Sequence, residues 1–507
     1  MPLLSRSATS RHDTQWWLPR LLVFLITCRF LLLIFAPHYD PSESRYAEIS
    51  RKMVETGNWL TPQFDYGVPF WAKPPLSMWM SALGIQIFGA NEFGSRIFIF
   101  LAAMIVLALV AKAARREYGK KSGVAAAAML MGMPLFFYCS AAVMTDLALV
   151  LGTTLSMVAF RQAMLSPSKG WGYGFFIGLA IGLLAKGPLA LVLSMPPIVA
   201  WIVLTGLWRR AWTNLPWISG CFLMLLIAVP WYLMAEKRTP GFLDYFIVGE
   251  HWKRFTVKGW KGDLYGSGHP ITPGAIWFFA LVTTLPWCVG LFAVPLRQWK
   301  NLRSWALDGE GRGAYWLLWA LCPLVFFTPA RNVILPYPLP ALPALALILV
   351  DISWRRSNAG THTGIHPLHP GILGVSAALT GFVVLAVMLM PSASFQGSER
   401  NLVKRFARDK QPGDQLTYYG SRKYSAEFYT QGKVLLAKTV DELRSQLDAP
   451  GRLFLQTNPK RLSKFPSETQ ARFTAVETFS DESTLYVEQN ATPEGKRLTP
   501  PPHVIHL

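Results

Sequence analysis

The stretch Asp40-Pro41-Ser42-Glu43-Ser44-Arg45-Tyr46-Ala47-Glu48, continued by Trp71-Ala72-Lys73-Pro74-Pro75, decides how this chain is read. It follows an apolar run at 19–36 and carries carboxylates, an arginine and a lysine, although the sequence around it is mostly apolar. Charge at a membrane boundary is costly unless it is solvated, paired or used. Outward from this loop, apolar runs fall at 19–36, 95–112, 122–140, 145–162, 172–186, 188–206, 216–234, 273–295, 314–329, 333–351 and 371–390. Their lengths suit helices that cross a bilayer, about eleven in all. The composition agrees: 52% of residues are hydrophobic and 15% charged, where soluble domains carry about 25% charged residues. Many of the 20 Trp lie near run ends, as interfacial aromatic belts require. The fold class is a polytopic α-helical membrane protein.

The net charge of +20 fits loops retained on the cytoplasmic side and contacts to anionic membrane lipids. No nucleic-acid-binding module signature accompanies it. With the N-terminus inside, the Lys- and Arg-rich connections 112–121, 161–169, 209–210, 297–312 and 355–356 all fall on the cytoplasmic side. The outer face then receives the Asp40–Lys73 loop, Asp146, Lys186, the 236–272 loop and the Arg331–Tyr337 turn. Segments distant in sequence thus deliver polar groups to one face. Cys28, Cys139, Cys221, Cys288 and Cys322 lie in or beside apolar runs without regular spacing and read as small core residues. Arg6, Arg11 and Arg20 precede the first run as in a signal peptide, but no small-residue cleavage site follows, so the run is kept as a span. From 392 onward charged and polar residues dominate, with short strands expected at Gln415–Tyr419 and Arg452–Gln456 and a helix at Thr439–Leu447.

Glu43, Glu48 and Arg51 share helical spacing within Ser42–Thr56, the pattern of an amphipathic helix lying on the membrane, either with self-paired solvated charges or with a role at the membrane mouth. Lys73 stands before two prolines, which stiffen the backbone. It either snorkels to the interface or is held for use. Asp146 opens an apolar run as a helix cap, a site residue or both. Lys186 has no acid near it in sequence, which leaves a bound anion as its partner or a snorkelling role. Arg29, inside the first run, calls for an intramembrane acid such as Asp146. The 236–272 loop adds Glu250-His251-Trp252-Lys253-Arg254; an arginine can fork around a phosphate, and His can donate or accept near neutral pH. Tyr337 is either an interfacial aromatic or a site residue. No phosphate-binding GxxxxGK[ST] loop, HExxH, GxSxG or Cys/His zinc spacing is present.

In this order, Ser42–Pro75, Thr145–Asp146, Leu184–Pro188, Pro230–Phe255 and Pro336–Pro343 resemble the lipid A aminoarabinose transferase group of polyprenyl-phosphate-dependent GT-C glycosyltransferases, with protein O-mannosyltransferases as more distant relatives. The resemblance implies a GT-C fold of about 11–13 transmembrane helices and an outer-face soluble α/β domain after the last span. The domain expectation is a transmembrane glycosyltransferase domain at 1–391, with its first outer loop at about 37–94, a periplasmic α/β domain at 392–490, and a disordered tail at 491–507. By the same resemblance Glu43 matches a catalytic-loop acid and Asp40, displaced upstream, stands in for a missing aspartate. Asp146 joins them as a catalytic candidate. Lys73, Lys186 and Arg254 match cations around the donor phosphate, and Arg45, Tyr46, His251 and Tyr337 line the cavity. The family's acid before Lys-Pro-Pro is Ala72 here, so no metal ligand is assigned and a divalent cofactor stays open.

The implied reaction is inverting transfer of a sugar, such as 4-amino-4-deoxy-L-arabinose, from undecaprenyl phosphate to lipid A or another glycan, lipid or protein acceptor. It would take place at the periplasmic face of a bacterial inner membrane. Cations would stabilise the departing phosphate, and a carboxylate would serve as base toward a hydroxyl acceptor or orient an ionised one. A transporter or lipid-linked sugar flippase is the alternative, but charges within the runs are few and no inverted repeat is visible.

Overall fold

The computed structural model describes residues 17–266, 271–288, 302–358, 374–376, 378–382, 397–480 and 483–489. The expected boundary at 392 and the tail 491–507 lie outside them, as do parts of the runs at 273–295 and 371–390. The helices in chain order are α1 (Trp17–Phe35), α2 (Ser42–Thr56), α3 (Leu76–Phe88), α4 (Glu92–Tyr118), α5 (Lys120–Met131), α6 (Pro134–Cys139), α7 (Thr145–Leu165), α8 (Lys169–Lys186), α9 (Leu189–Thr205), α10 (Trp208–Asn214) and α11 (Trp217–Arg238), followed by Ala275–Thr283, Leu302–Phe327 and Leu342–Asn358. Among the described residues α1, α4, α7 and α11 are long and apolar enough to cross a membrane, and α3 and α9 are shorter apolar helices. Helices recur here because backbone groups in hydrocarbon must be satisfied within their own segment. The protein is an integral membrane protein.

The run at 122–140 breaks into α5 and α6 at Gly132-Met133, where Pro134 takes the first helical position of α6. The run reading missed α3, whose 13 residues fall short of a full span. Antiparallel α7 and α8 pack backbone to backbone: a Cβ on Gly152 would stand 2.5 Å from Gly182 N, and one on Gly178 would stand 2.6 Å from Ser156 N. Small residues at such crossings are the usual basis of close helix packing in membranes.

The basic connections meet at one end of the bundle. Arg161 pairs with Glu117 at 2.8 Å, Arg312 with Asp351 at 3.3 Å, Arg355 with Asp351 at 2.9 Å and Arg210 with Glu310 at 2.7 Å. This network encloses a left-handed kink in Leu302–Phe327 at Gly309, Glu310 and Gly311. Arg161 donates to the carbonyls of Gly309 and Glu310, and Trp201 to that of Gly311.

Helix α2 forms over the expected residues, and its charged face is buried rather than solvated. Glu43, Glu48, Arg51 and Lys52 are all buried. Lys52 and its neighbours are covered by the C-terminal α/β unit, whose helix Tyr424–Thr430 packs on α2. In that unit β3 (Gln415–Tyr419), β4 (Val434–Ala437), β5 (Leu453–Thr457), β6 (Phe473–Ser480) and β7 (Ser483–Glu488) form one sheet in the order β4-β3-β5-β7-β6. The β4-β3-β5 pairs are parallel and the β5-β7-β6 pairs antiparallel. Strand alternation serves two cores: Phe454 packs with Leu402 and Phe406, while Leu453 and Leu455 face the other way onto Leu443 and Leu447. A separate two-stranded ribbon, β1 (Gln63–Asp65) with β2 (Val68–Pro69), precedes Lys73.

Candidate active site

At the end of the bundle opposite the arginine network, the chain after α11 winds into a π-helix over Tyr245–Lys253, a form often found at functional sites. It presents Glu250 inward, with a side chain only 1% exposed. One Glu250 oxygen accepts from Lys73 Nζ at 2.8 Å. Arg254 Nη1 reaches the two oxygens at 3.0 and 3.1 Å. A single buried carboxylate therefore holds two cations side by side, each still about one-fifth exposed. Burial alone would raise the Glu250 carboxyl, but Lys73 and Arg254 override it and hold it below the ordinary range. Among the described residues donors remain unused: Lys73 Nζ bonds only Ala72 O and Glu250, and buried Arg254 Nε has no partner. Arg254 also pairs with Asp263 at 3.3 Å.

A second ion pair stands beside the first. Lys186, at the end of α8, donates to Asp146, at the start of α7, at 2.6 Å, so the anionic partner of Lys186 is an acid 40 residues away in the chain rather than a bound anion alone. Asp146 caps nothing, since the N-cap of α7 is Met144 without a side-chain bond. Nor does it meet Arg29, whose guanidinium donates instead to the carbonyls of Phe137 and Tyr138 at 2.7 and 2.9 Å. The Lys186 ammonium lies 5.6 Å from the Tyr337 ring centre. His251 joins the two ion pairs: its Nδ1 is 2.7 Å from Phe246 O and its Nε2 is 3.1 Å from Lys186 O. Burial pushes the His251 imidazole down, which favours the neutral ring. Tyr46 is buried and packs edge-on against Phe70, with ring centres 5.9 Å apart. Asn332 Nδ2 donates to Arg254 O at 2.6 Å, tying the Arg331–Tyr337 turn to the same site.

The first-loop acids sit apart from these pairs. Glu43 accepts from Arg96 Nε at 2.8 Å and Val143 N at 3.2 Å, with His38 Nδ1 at 3.6 Å. Burial opposes its ionisation, but Arg96 and His38 prevail and hold it well below the ordinary range. It borders an apolar cleft of about 580 Å³ between α1 and α6 that also reaches Arg29. Asp40 is engaged by the C-terminal unit, accepting from both the backbone N and the hydroxyl of Ser425. Burial pushes its carboxyl up, and the Ser425 bonds offset this in part. Arg45 donates to Tyr265 O at 2.6 Å and lies 5.4 Å from the Tyr46 ring centre. Sequence reading quoted Glu250 but assigned it no role. Its signal was the i, i+4 spacing to Arg254, yet the partner that matters, Lys73, is 177 residues away. Among the described residues no three His, Cys, Asp or Glu side chains converge on a metal position, so these residues do not fit a divalent ion.

The apolar helices thus gather two cation–carboxylate units at one end of a membrane-embedded bundle of the GT-C type. A family model described as dolichyl-phosphate-mannose-protein mannosyltransferase matches residues 21–246. A Pseudomonas fluorescens (strain Pf0-1) protein named undecaprenyl phosphate-alpha-4-amino-4-deoxy-L-arabinose arabinosyl transferase 1 is 31% identical over 384 residues, 73% of this chain and 64% of that protein. Its Pseudomonas aeruginosa (strain LESB58) counterpart is 30% identical over 394 residues, 73% of this chain and 67% of that protein. The crystal structure of ArnT from Cupriavidus metallidurans bound to undecaprenyl phosphate superposes with a TM-score of 0.72 at 19% identity, covering 96% of this chain and 100% of that one. The chain belongs to the undecaprenyl phosphate-alpha-4-amino-4-deoxy-L-arabinose arabinosyl transferase family, and it spans about two thirds of the length of these curated relatives.

Proposed function

We propose that this protein transfers 4-amino-4-deoxy-L-arabinose from an undecaprenyl phosphate carrier to lipid A, at the periplasmic face of a bacterial inner membrane. The observation that carries the reading is the pair of partly exposed cations, Lys73 and Arg254, aligned on buried Glu250. In the transfer, the bond between the anomeric carbon and the carrier phosphate breaks. A new bond forms from the acceptor oxygen on the opposite face of the sugar, with inversion. The carrier departs as a phosphate, which needs its growing charge stabilised more than it needs a proton. The exposed edges of Lys73 and Arg254 meet that need, and Lys186 adds a third positive charge beside Tyr337. Asp146, paired with Lys186, is the candidate acid. It accepts the proton of a hydroxyl acceptor, or orients an acceptor that is already ionised. Glu43 and Asp40 hold the first loop in place around this cup.

The test is transfer of labelled sugar from its undecaprenyl phosphate to lipid A by the purified full chain. Lys73→Ala, Lys186→Ala and Arg254→Ala should each lower the rate about 10²- to 10³-fold while the protein still melts cooperatively in detergent. Near-normal transfer by all three removes the proposed phosphate site. Labelling of single cysteines from each side of the membrane checks the sidedness, and reaction near Lys73 and near Lys186 from opposite sides would refute it.

A further inference from the structure

At the end of the bundle opposite the candidate active site, a cleft of about 1000 Å³ opens between α4, α5, α7 and α8. Four exposed cations border it: Lys112, Arg115, Arg116 and Lys120. No ion pair is seen for any of them among the described residues. The neighbouring acid, Glu117, is taken by Arg161 and Arg312. Gln162 also lines the cleft and is only 5% exposed. Among the described residues its Nε2 has no hydrogen-bond partner, and a buried N–H left unpaired is costly. That donor asks for an acceptor in the cleft. The first turn of α8 adds the positive end of an 18-residue helix. Its cap, Ser168, lies in the cleft wall and accepts from Trp171 N, which leaves the earlier N–H groups of that turn to an outside acceptor.

Cations, an unpartnered amide donor and a helix N-terminus all call for an anion with several acceptor oxygens. Its source follows from the rest of the wall. Ala108, Ala111 and Val124 continue the cleft along apolar helices, and Lys112 lies 5.3 Å from the Trp171 ring centre, the aromatic-and-basic arrangement of a membrane interface. We propose that this cleft binds the phosphate headgroup of an anionic phospholipid from the adjacent leaflet, with the Gln162 amide and the four cations on its oxygens and the acyl chains along the apolar wall. The site uses none of the groups assigned to sugar transfer.

The full chain in detergent, titrated with phosphatidylglycerol, phosphatidylcholine or inorganic phosphate, tests this by native mass spectrometry and thermal shift. Phosphatidylglycerol should form a discrete adduct and raise the melting temperature, whereas phosphatidylcholine and inorganic phosphate should not. Arg115→Gln with Arg116→Gln should weaken the adduct about fivefold per charge removed. Gln162→Leu, which alters no charge, should weaken it as well. The exposed arginine pair keeps the test decisive if Gln162→Leu lowers expression. Equal binding of phosphatidylcholine overturns the proposal, and inorganic phosphate acting as well as the lipid overturns the lipid assignment. Unchanged binding in Gln162→Leu reduces the site to diffuse attraction by a basic surface and also overturns it.

Discussion

Glu250 shows how much one buried carboxylate can organise. Two cations that would otherwise repel are fixed on its oxygens, with donors to spare for a third anion. Replacement by an isosteric amide, Glu250→Gln, keeps the volume but removes the charge that aligns Lys73 and Arg254. A misplacement of about 1 Å at a reacting centre can cost about 100-fold, so Glu250→Gln is expected to lower kcat/KM for the donor on that order, with most of the change in kcat. Steady-state titration of the donor decides it, and unchanged kinetics would separate Glu250 from the site. Asp40 behaves differently. Its carboxylate is held by Ser425, so Ser425→Ala strips a buried charge of a donor and should cost about 1–3 kcal/mol. Chemical denaturation of the purified protein reads this directly.

At the scale of elements, the pairing of Asp146 with Lys186 depends on how closely α7 and α8 approach. Gly152, Gly178 and Gly182 remove the side chains that would part them. Gly178→Val inserts a branched side chain where even a Cβ meets Ser156 at under 3 Å. It is expected to separate the two helices, lengthen the ion pair and abolish transfer together with thermal stability. Gly174→Val, in the same helix, puts its Cβ no closer than 3.4 Å to a neighbour and should be far milder. Comparison of the two melting temperatures distinguishes close packing from helix propensity.

At the scale of the whole molecule, the C-terminal unit and the first loop are one electrostatic assembly. Asp40 meets Ser425, Lys52 lies 3.4 Å from Glu427, and Arg400 lies 2.9 Å from Glu92. Buried Glu43 and Glu250 both have carboxyls held below the ordinary range. In the acidic window the unfolded chain therefore binds more protons than the folded one, and stability rises with pH there. Their contribution is complete above the unfolded glutamate value of about 4.3 and is lost as pH falls through the lower folded values. Melting temperature followed down through that window should decline, and Glu43→Gln should flatten the decline. A decline of equal steepness in the variant would place the acid sensitivity elsewhere.

The apolar runs, the basic connections, helix α2 and the strand at Gln415–Tyr419 were legible in the sequence because each rests on local pattern: length, charge bias or spacing within a few residues. The first-loop motif and the separated cations carried the family resemblance for the same reason. Only the tertiary structure decided which acid meets which cation. Lys186 found Asp146 rather than a bound anion alone, Arg29 found backbone carbonyls, Glu250 gathered Lys73, and the charged face of α2 went under the C-terminal unit. Charge pairing inside a protein is set by which helix ends the packing brings within about 4 Å, and that distance is fixed by contacts between segments that no local window of sequence contains.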